Sequence, residues 1–443
     1  MRRIACAFLV LGAIFACGDD RNGFKQDPTF LTADAGADVD PPPPTSCEGT
    51  LRCGRNLRSV VDGCDESKVI TECAPDQGCA EGKCVPACDA AVGASSTMGC
   101  EFIPIAPPPE SLAIGSCFAA VLANTWEIPA RIEAEYDGNP LDVTPSTRII
   151  RTDGTTTTYE PFTGELLPGE VAVFFLSEQA SGFMSIACPG DVTPAVKRVT
   201  SHTGTRRGST FRIKTTAPVS AYSVYPFAGS ASQGTSSTML LPVASWKTDY
   251  VVTSPWEMRY FDTERLHPTT QVVAAEDGTE VTLIGSVHIQ GGMDVESAEK
   301  GSAKTYRLKR GEQIQFFQEQ DLTGSRIGAN KPVGVYVGHQ AMAIPTSMTC
   351  CGDTSQTALF PVKAWGREYA VVPYRSRRAK EAAEDYLYRI TAAVDGTVLT
   401  YEPSAPKEAP LSLSAGQSVI FTSQEPFVVR SQDSDHPFAV FSY

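Results

Sequence analysis

The chain has 443 residues, with 51 Asp and Glu against 37 Lys and Arg, a net charge of −14, and 14 cysteines. That length sets an expectation of about three domains. The acidity, with no basic run interleaved with aromatics, argues against nucleic acid as a partner and favours solubility or cation contact.

Taken in chain order, residues 1–17 read as a secretory signal: Arg2 and Arg3 precede an apolar run from Ile4 to Ala16 that is too short to span a bilayer. Ile14-Phe15-Ala16-Cys17 has the form of a bacterial lipobox, which makes Cys17 the expected lipidation site, with a plain signal cleaved nearby as the alternative. Residues 18–46 form an acidic, proline-rich linker whose few apolar groups keep it solvated. No later segment is apolar enough to cross a membrane.

Residues 47–105 hold eight cysteines: Cys47, Cys53, Cys64, Cys73, Cys79, Cys84, Cys88 and Cys100. So short a segment with few large apolar residues cannot build an adequate core, and an even number of cysteines in an exported chain points to disulfides. A zinc cluster is the weaker alternative, because the segment has neither a CxxC pair nor a histidine. Further along, Cys117 and Cys188 flank the first β unit as a candidate pair. Cys350 and Cys351 are adjacent, leaving a vicinal disulfide or other partners open.

The remainder is repetitive. LPVASWKTDYVV from Leu241 and FPVKAWGREYAVV from Phe360 lie 119 residues apart, with Pro242, Val243, Trp246 and Tyr250 in register with Pro361, Val362, Trp365 and Tyr369. After each comes an Asp-Gly-Thr turn at Asp277 or Asp395 and a turn into an alternating strand at Gly311 or Gly416. Pro332 and Pro437 then follow those two glycines, each after 21 residues. A fainter copy runs through Asp137, Gly169 and Pro218. The alternation of Gln313, Gln315 and Gln318 with Ile314 and Phe316/Phe317 predicts a half-buried strand, and the Asp-Gly pairs predict hairpins.

These patterns predict an all-β fold: tandem sandwich-like units over 106–230, 231–345 and 346–443, preceded by the small disulfide-rich module. A propeller is disfavoured, since blades repeat at about 40 to 50 residues. The best helical stripe is RRAKEAAEDYLYR from Arg377.

Candidate chemistry is sparse. His339, Cys350, Cys351 and Asp353 share one segment, where a disulfide-closed loop with His339 hydrogen-bonded at its base is preferred to a metal or hydrolytic site. No GxSxG, HExxH or phosphate-cradling motif is present. Asp137, Asp277 and Asp395 lack the neighbouring carboxylates that calcium needs. Trp246 and Trp365 read as a shared core element in preference to sugar-stacking platforms.

The two tryptophan segments, with the Gly338–Asp353 segment upstream of the second, resemble the N-terminal domain of the IgGFc-binding protein family. Lipoproteins of myxobacterial type resemble the chain more widely, over residues 47–443, with a cysteine-rich segment ending near Gly99-Cys100-Glu101-Phe102. The chain departs from the family pattern at Lys247, where glycine is usual, and at the Cys350/Cys351 doublet. The resemblance implies a secreted or surface-anchored binding and adhesion role and no catalytic residues.

The resulting expectation is a non-enzymatic, lipid-anchored protein of the bacterial outer membrane or cell surface. It would bind an extracellular protein or glycan, touch the membrane only through its anchor, and use no cofactor or metal. A hydrolase centred on His339 and a purely structural coat component are the alternatives.

Overall fold

A computed structural model describes residues 49–443 apart from 95, 110–112, 155, 181–184, 228–234, 262–263, 345–351 and 376–383. Cys17, Cys47, Cys350, Cys351, the signal and the linker therefore lie outside the described residues. The protein is nearly all β, and no described helix is long and apolar enough to cross a membrane.

The cysteine-rich module is two small antiparallel sheets and the helix Ala87–Ala94. The hairpin between Gln77–Ala80 and Lys83–Pro86 turns through Glu81 and Gly82, both at positive φ (49° and 70°), as a two-residue turn of the hairpin type requires. Its buried side chains are few and small, chiefly Val60, Val61, Ala87, Ala90 and Ala91. Cross-links Cys53–Cys79, Cys73–Cys84 and Cys88–Cys100 supply what that core lacks. Cys64 is also disulfide-bonded, and Cys117–Cys188 closes a 71-residue span in the first β unit.

Each β unit is organised around one long antiparallel strand: Phe211–Tyr225, Arg326–Met342, and in the third unit the pair Phe427–Ser431 and Phe438–Ser442. Pro218, Pro332 and Pro437 fall at equivalent points, and the residues on either side of the proline pair with different neighbours. In the second unit Thr279–Ile284 pairs with the stretch before Pro332, and Pro268–Ala274 pairs with the stretch after it. The Asp277-Gly278 turn therefore does not close a hairpin, contrary to the sequence expectation. It carries the chain from one half of the long strand to the other, and Asp395-Gly396 does the same in the third unit. Of the three repeat turns, Asp137-Gly138 alone closes a hairpin, with both residues at positive φ.

Neighbouring units share strands and cores. Ser236–Leu240 adds to the first unit's long strand, Asp353–Ala358 adds to the second's, and Arg206–Ser209 pairs with Glu312–Phe317 of the second unit. Tyr336, Val273 and Trp246 pack into the core of the first unit, and Phe441 of the third unit packs against the core of the second. The glutamine strand is thus buried on both faces. Ile314 and Phe316 point into the second core, while Gln313 and Gln315 lie at 4% and 2% exposure beneath the first unit, where a half-buried ladder was expected.

A fully buried extended segment, Ile103–Pro109, lies between the first two units. Its carbonyls are held at every third residue: Tyr336 Oη donates to Ile103 O (3.1 Å), Gln271 Nε2 to Ala106 O (3.2 Å), and Gln340 Nε2 to Pro109 O (3.0 Å). Three residues per turn is the repeat of a polyproline II helix, which presents its carbonyls with no internal hydrogen bonds and suits this proline-rich stretch.

The helical stripe from Arg377 fails where it is described. Its last residues begin the strand Tyr386–Ala392, because alternate positions from Tyr388 onward are needed in the third core.

Candidate functional site

The two tryptophan segments fold alike. Pro242 and Pro361 each start a single 3-10 turn, Val243–Ser245 and Val362–Ala364, after which the chain leaves in extended form. Trp246 Nε1 donates to Leu241 O and Trp365 Nε1 to Phe360 O, both at 3.2 Å. Tyr250 Oη accepts from Lys247 N–H (3.2 Å) and donates to Val333 O (2.7 Å). Tyr369 Oη repeats this with Gly366 N–H and Phe438 O, both at 2.8 Å. Burial pushes both phenols above their ordinary range. Tyr and Trp are thus fixed at their polar atoms, and the motif pins the entering segment to the long strand.

The surroundings of the two motifs differ. Trp246 and Leu241 are 3% and 4% exposed within the first core. The cysteine-rich module covers this motif: Ser245 Oγ donates to Ser96 O (2.7 Å), and Gly99 lies so close to Pro242 that a Cβ there would stand 2.4 Å from the Pro242 Cβ. On its other side the indole lies against Gly334, where an added Cβ would stand 2.6 Å from the ring. The position equivalent to Gly334 in the third unit is Ala439. Trp365 is only half-buried and Phe360 is 47% exposed. A buried Trp246 offers no face to a sugar. Trp365, Phe360 and the exposed Tyr374 are the aromatic groups that the second motif leaves open to a ligand.

His339 is fully buried. Its Nδ1 accepts from Ala341 N–H (3.1 Å), which places the proton on Nε2, and Nε2 donates to Glu257 O (3.0 Å). Burial, with the Arg259 charge nearby, holds its pKa down at about 4. Asp353 lies opposite Met342 in the ladder, whereas His339 lies opposite Ser355, so the two candidate residues are not brought together. His339 is hydrogen-bonded as a structural residue. Among the described residues no three His, Cys, Asp or Glu cluster as a metal site would need.

One buried interface residue, Arg389, was not singled out in the sequence. Arg389 is 4% exposed, and its Nη1 donates to Ser254 O and to Thr323 Oγ1 (3.2 Å) in the second unit. It lies 3.9 Å from Asp321 Oδ2 and faces the rings of Trp256 and Tyr443 at 6.0 and 5.6 Å. Burial raises the Asp321 pKa, against the opposing pull of Thr323 and Arg389. The only available signal was its alignment with Gln271 through the Asp-Gly turns.

Residues 236–443 match the family model described as IgGFc binding protein. The match begins at the strand that completes the first unit's sheet and includes both tryptophan motifs. No curated protein and no solved structure matches the chain.

Proposed function

We propose, from the match of residues 236–443 to the family model described as IgGFc binding protein, that this chain is an exported binding protein whose β units present their surface to an extracellular protein. The observation that carries the reading is that match, spanning two β units whose second tryptophan motif leaves Phe360, Trp365 and Tyr374 accessible. Large aromatics exposed on a rigid sheet scaffold supply contact area at little ordering cost. The disulfides support export, since such cross-links persist in oxidising compartments. Cys17 would carry a lipid that holds the protein at the cell surface on the 18–46 linker, and the role would be adhesion without catalysis. Purified residues 45–443, tested against extracellular proteins and matrix polysaccharides, are expected to capture a protein ligand. Silence across both sets would reject the reading, and capture of polysaccharide alone would reassign the ligand to a glycan.

A further inference from the structure

We propose that the outer edge of the strand Phe438–Ser442 is a docking site for an extended segment of another protein, which joins the third unit as an additional antiparallel strand. The proposal deepens the binding reading above and rests on it for the extracellular setting of the partner.

The same edge is occupied in both earlier units. With Pro218, Pro332 and Pro437 aligned, Val440 corresponds to Ala221 and Val335, and Ser442 to Ser223 and Val337. In the first unit Ser236–Leu240 pairs along Ala221–Tyr225. In the second, Asp353–Ala358 pairs along Tyr336–Met342, and Leu359 N–H donates to Val335 O (2.8 Å). The third unit has the preceding part of this arrangement. Glu368–Val371 pairs with Phe427–Ser431, and Gly366 bridges to Phe438 as Lys247 pairs with Val333. Beyond Phe438, however, the strand is paired among the described residues on one side alone, with Tyr386–Ala392, and it forms the edge of a three-stranded sheet.

Exposure agrees. Val335 and Val337 are 2% and 1% exposed, and Ala221 and Ser223 are 1% and 3%, whereas Val440 is half-buried and Ser442 is exposed. Tyr443 N–H donates inward to Leu387 O (3.0 Å). Alternation along an antiparallel strand therefore turns the N–H and C=O of Ser442 and Val440 outward. Natural sheets blunt such edges with lysine, proline or a bulge, yet Val440-Phe441-Ser442 brings no charge and no proline. The exposed Tyr374 stands at the rim, with its hydroxyl 3.4 Å from Ser442 Oγ, where its ring can pack on an incoming strand.

The two internal occupants define the partner's chemistry. Ser236–Leu240 and Asp353–Ala358 read SSTML and DTSQTA: mostly uncharged, rich in Ser and Thr, and without proline. The expected partner segment shares this character and binds through main-chain hydrogen bonds, with alternate side chains setting specificity. A second copy of the chain is a poorer donor, because its own strands of this type are already paired.

The test adds synthetic peptides with the sequences of Ser236–Leu241 and Asp353–Phe360 to the full chain in detergent and follows amide hydrogen exchange. The expected result is saturable binding with exchange at Val440 and Ser442 slowed by about tenfold or more, lost when the peptide is N-methylated at alternate residues. Ser442→Pro, which removes an outward N–H and leaves the inward bonds intact, is expected to abolish binding without changing thermal unfolding. No peptide binding, binding without protection at these two amides, or equal binding by the N-methylated peptide would overturn the proposal. So would self-association of the wild type that Ser442→Pro removes, which would make the occupant a second copy. An extracellular ligand captured equally by wild type and Ser442→Pro would sink the docking edge and leave the binding reading standing. Protection by peptides with no extracellular ligand found would support the edge and sink the broader reading.

Discussion

Gln271 and Arg389 occupy the same position in successive units. Gln271 lies opposite Tyr336 and Arg389 opposite Phe441 on the strand that follows each proline, and each side chain reaches into the unit before it, to Ala106 O and to Ser254 O. At this repeated position each interface is therefore bridged by one polar side chain, uncharged at the first and cationic at the second.

Replacing the cation should be severe. Arg389→Met leaves Asp321, whose side chain keeps 20% exposure, without its counter-charge; loss of one partner of a fully buried pair costs about 3–5 kcal/mol, which sets the upper bound here. Burial raises the Asp321 pKa, so the folded chain takes up this proton more readily than the unfolded chain does. Any stability this contributes is present at low pH and is lost as pH rises through the folded pKa. The deficit of Arg389→Met, measured by urea unfolding, should accordingly be largest near neutrality and shrink on acidification. Arg389→Met combined with Asp321→Asn should recover part of it.

His339 sets an acid limb of opposite sign. Its folded pKa of about 4 lies below the unfolded value of 6.5, so the unfolded chain binds the extra proton first. Stability contributed by the neutral ring is complete above 6.5 and falls as pH drops from there towards 4, by about 3 kcal/mol at roughly 1.4 kcal/mol per pKa unit. Denaturation midpoints across this window should show the loss, and His339→Gln should reduce its slope while leaving the share of His202, whose pKa burial also holds down at about 4.

Gly334→Ala should be felt at Trp246. The added Cβ would stand 2.6 Å from the indole, and overpacking of this kind costs about 1–3 kcal/mol. A lower unfolding midpoint with red-shifted tryptophan emission is the expected signature. Ala439→Gly, at the equivalent position of the third unit, should leave the emission close to that of the wild type.

Removing the long-range cross-link tests the first unit. A Cys117→Ala, Cys188→Ala pair frees a 71-residue span, for which chain entropy gives about 4 kcal/mol. Calorimetry should show the transition moving down in temperature.

The repeat, the all-β class and the tryptophan and tyrosine register were legible because each rests on local chemistry. A proline-initiated turn, an indole bonded five residues back and a phenol bonded three residues back recur wherever that spacing recurs. What escaped was the relation between units. Gln313 and Gln315 look like a solvated face, since periodicity separates the two faces of a strand without saying that another unit covers the polar one. Arg389 looks like part of a helical stripe because charges in RRAKEAAEDYLYR carry no sign of being buried. The Asp-Gly turns look like hairpins, and only the long strand they straddle shows that their flanking strands pair elsewhere.

The clasping of Ile103–Pro109 by Tyr336, Gln271 and Gln340 has a mechanical consequence. A chain tethered at its N-terminus and gripped by a ligand further along would transmit tension through this segment. Three bonds spaced along its length and set across it would then be loaded together in shear, a geometry that resists rupture better than bonds peeled one after another. The junction between the first two units would thus bear pull as a unit.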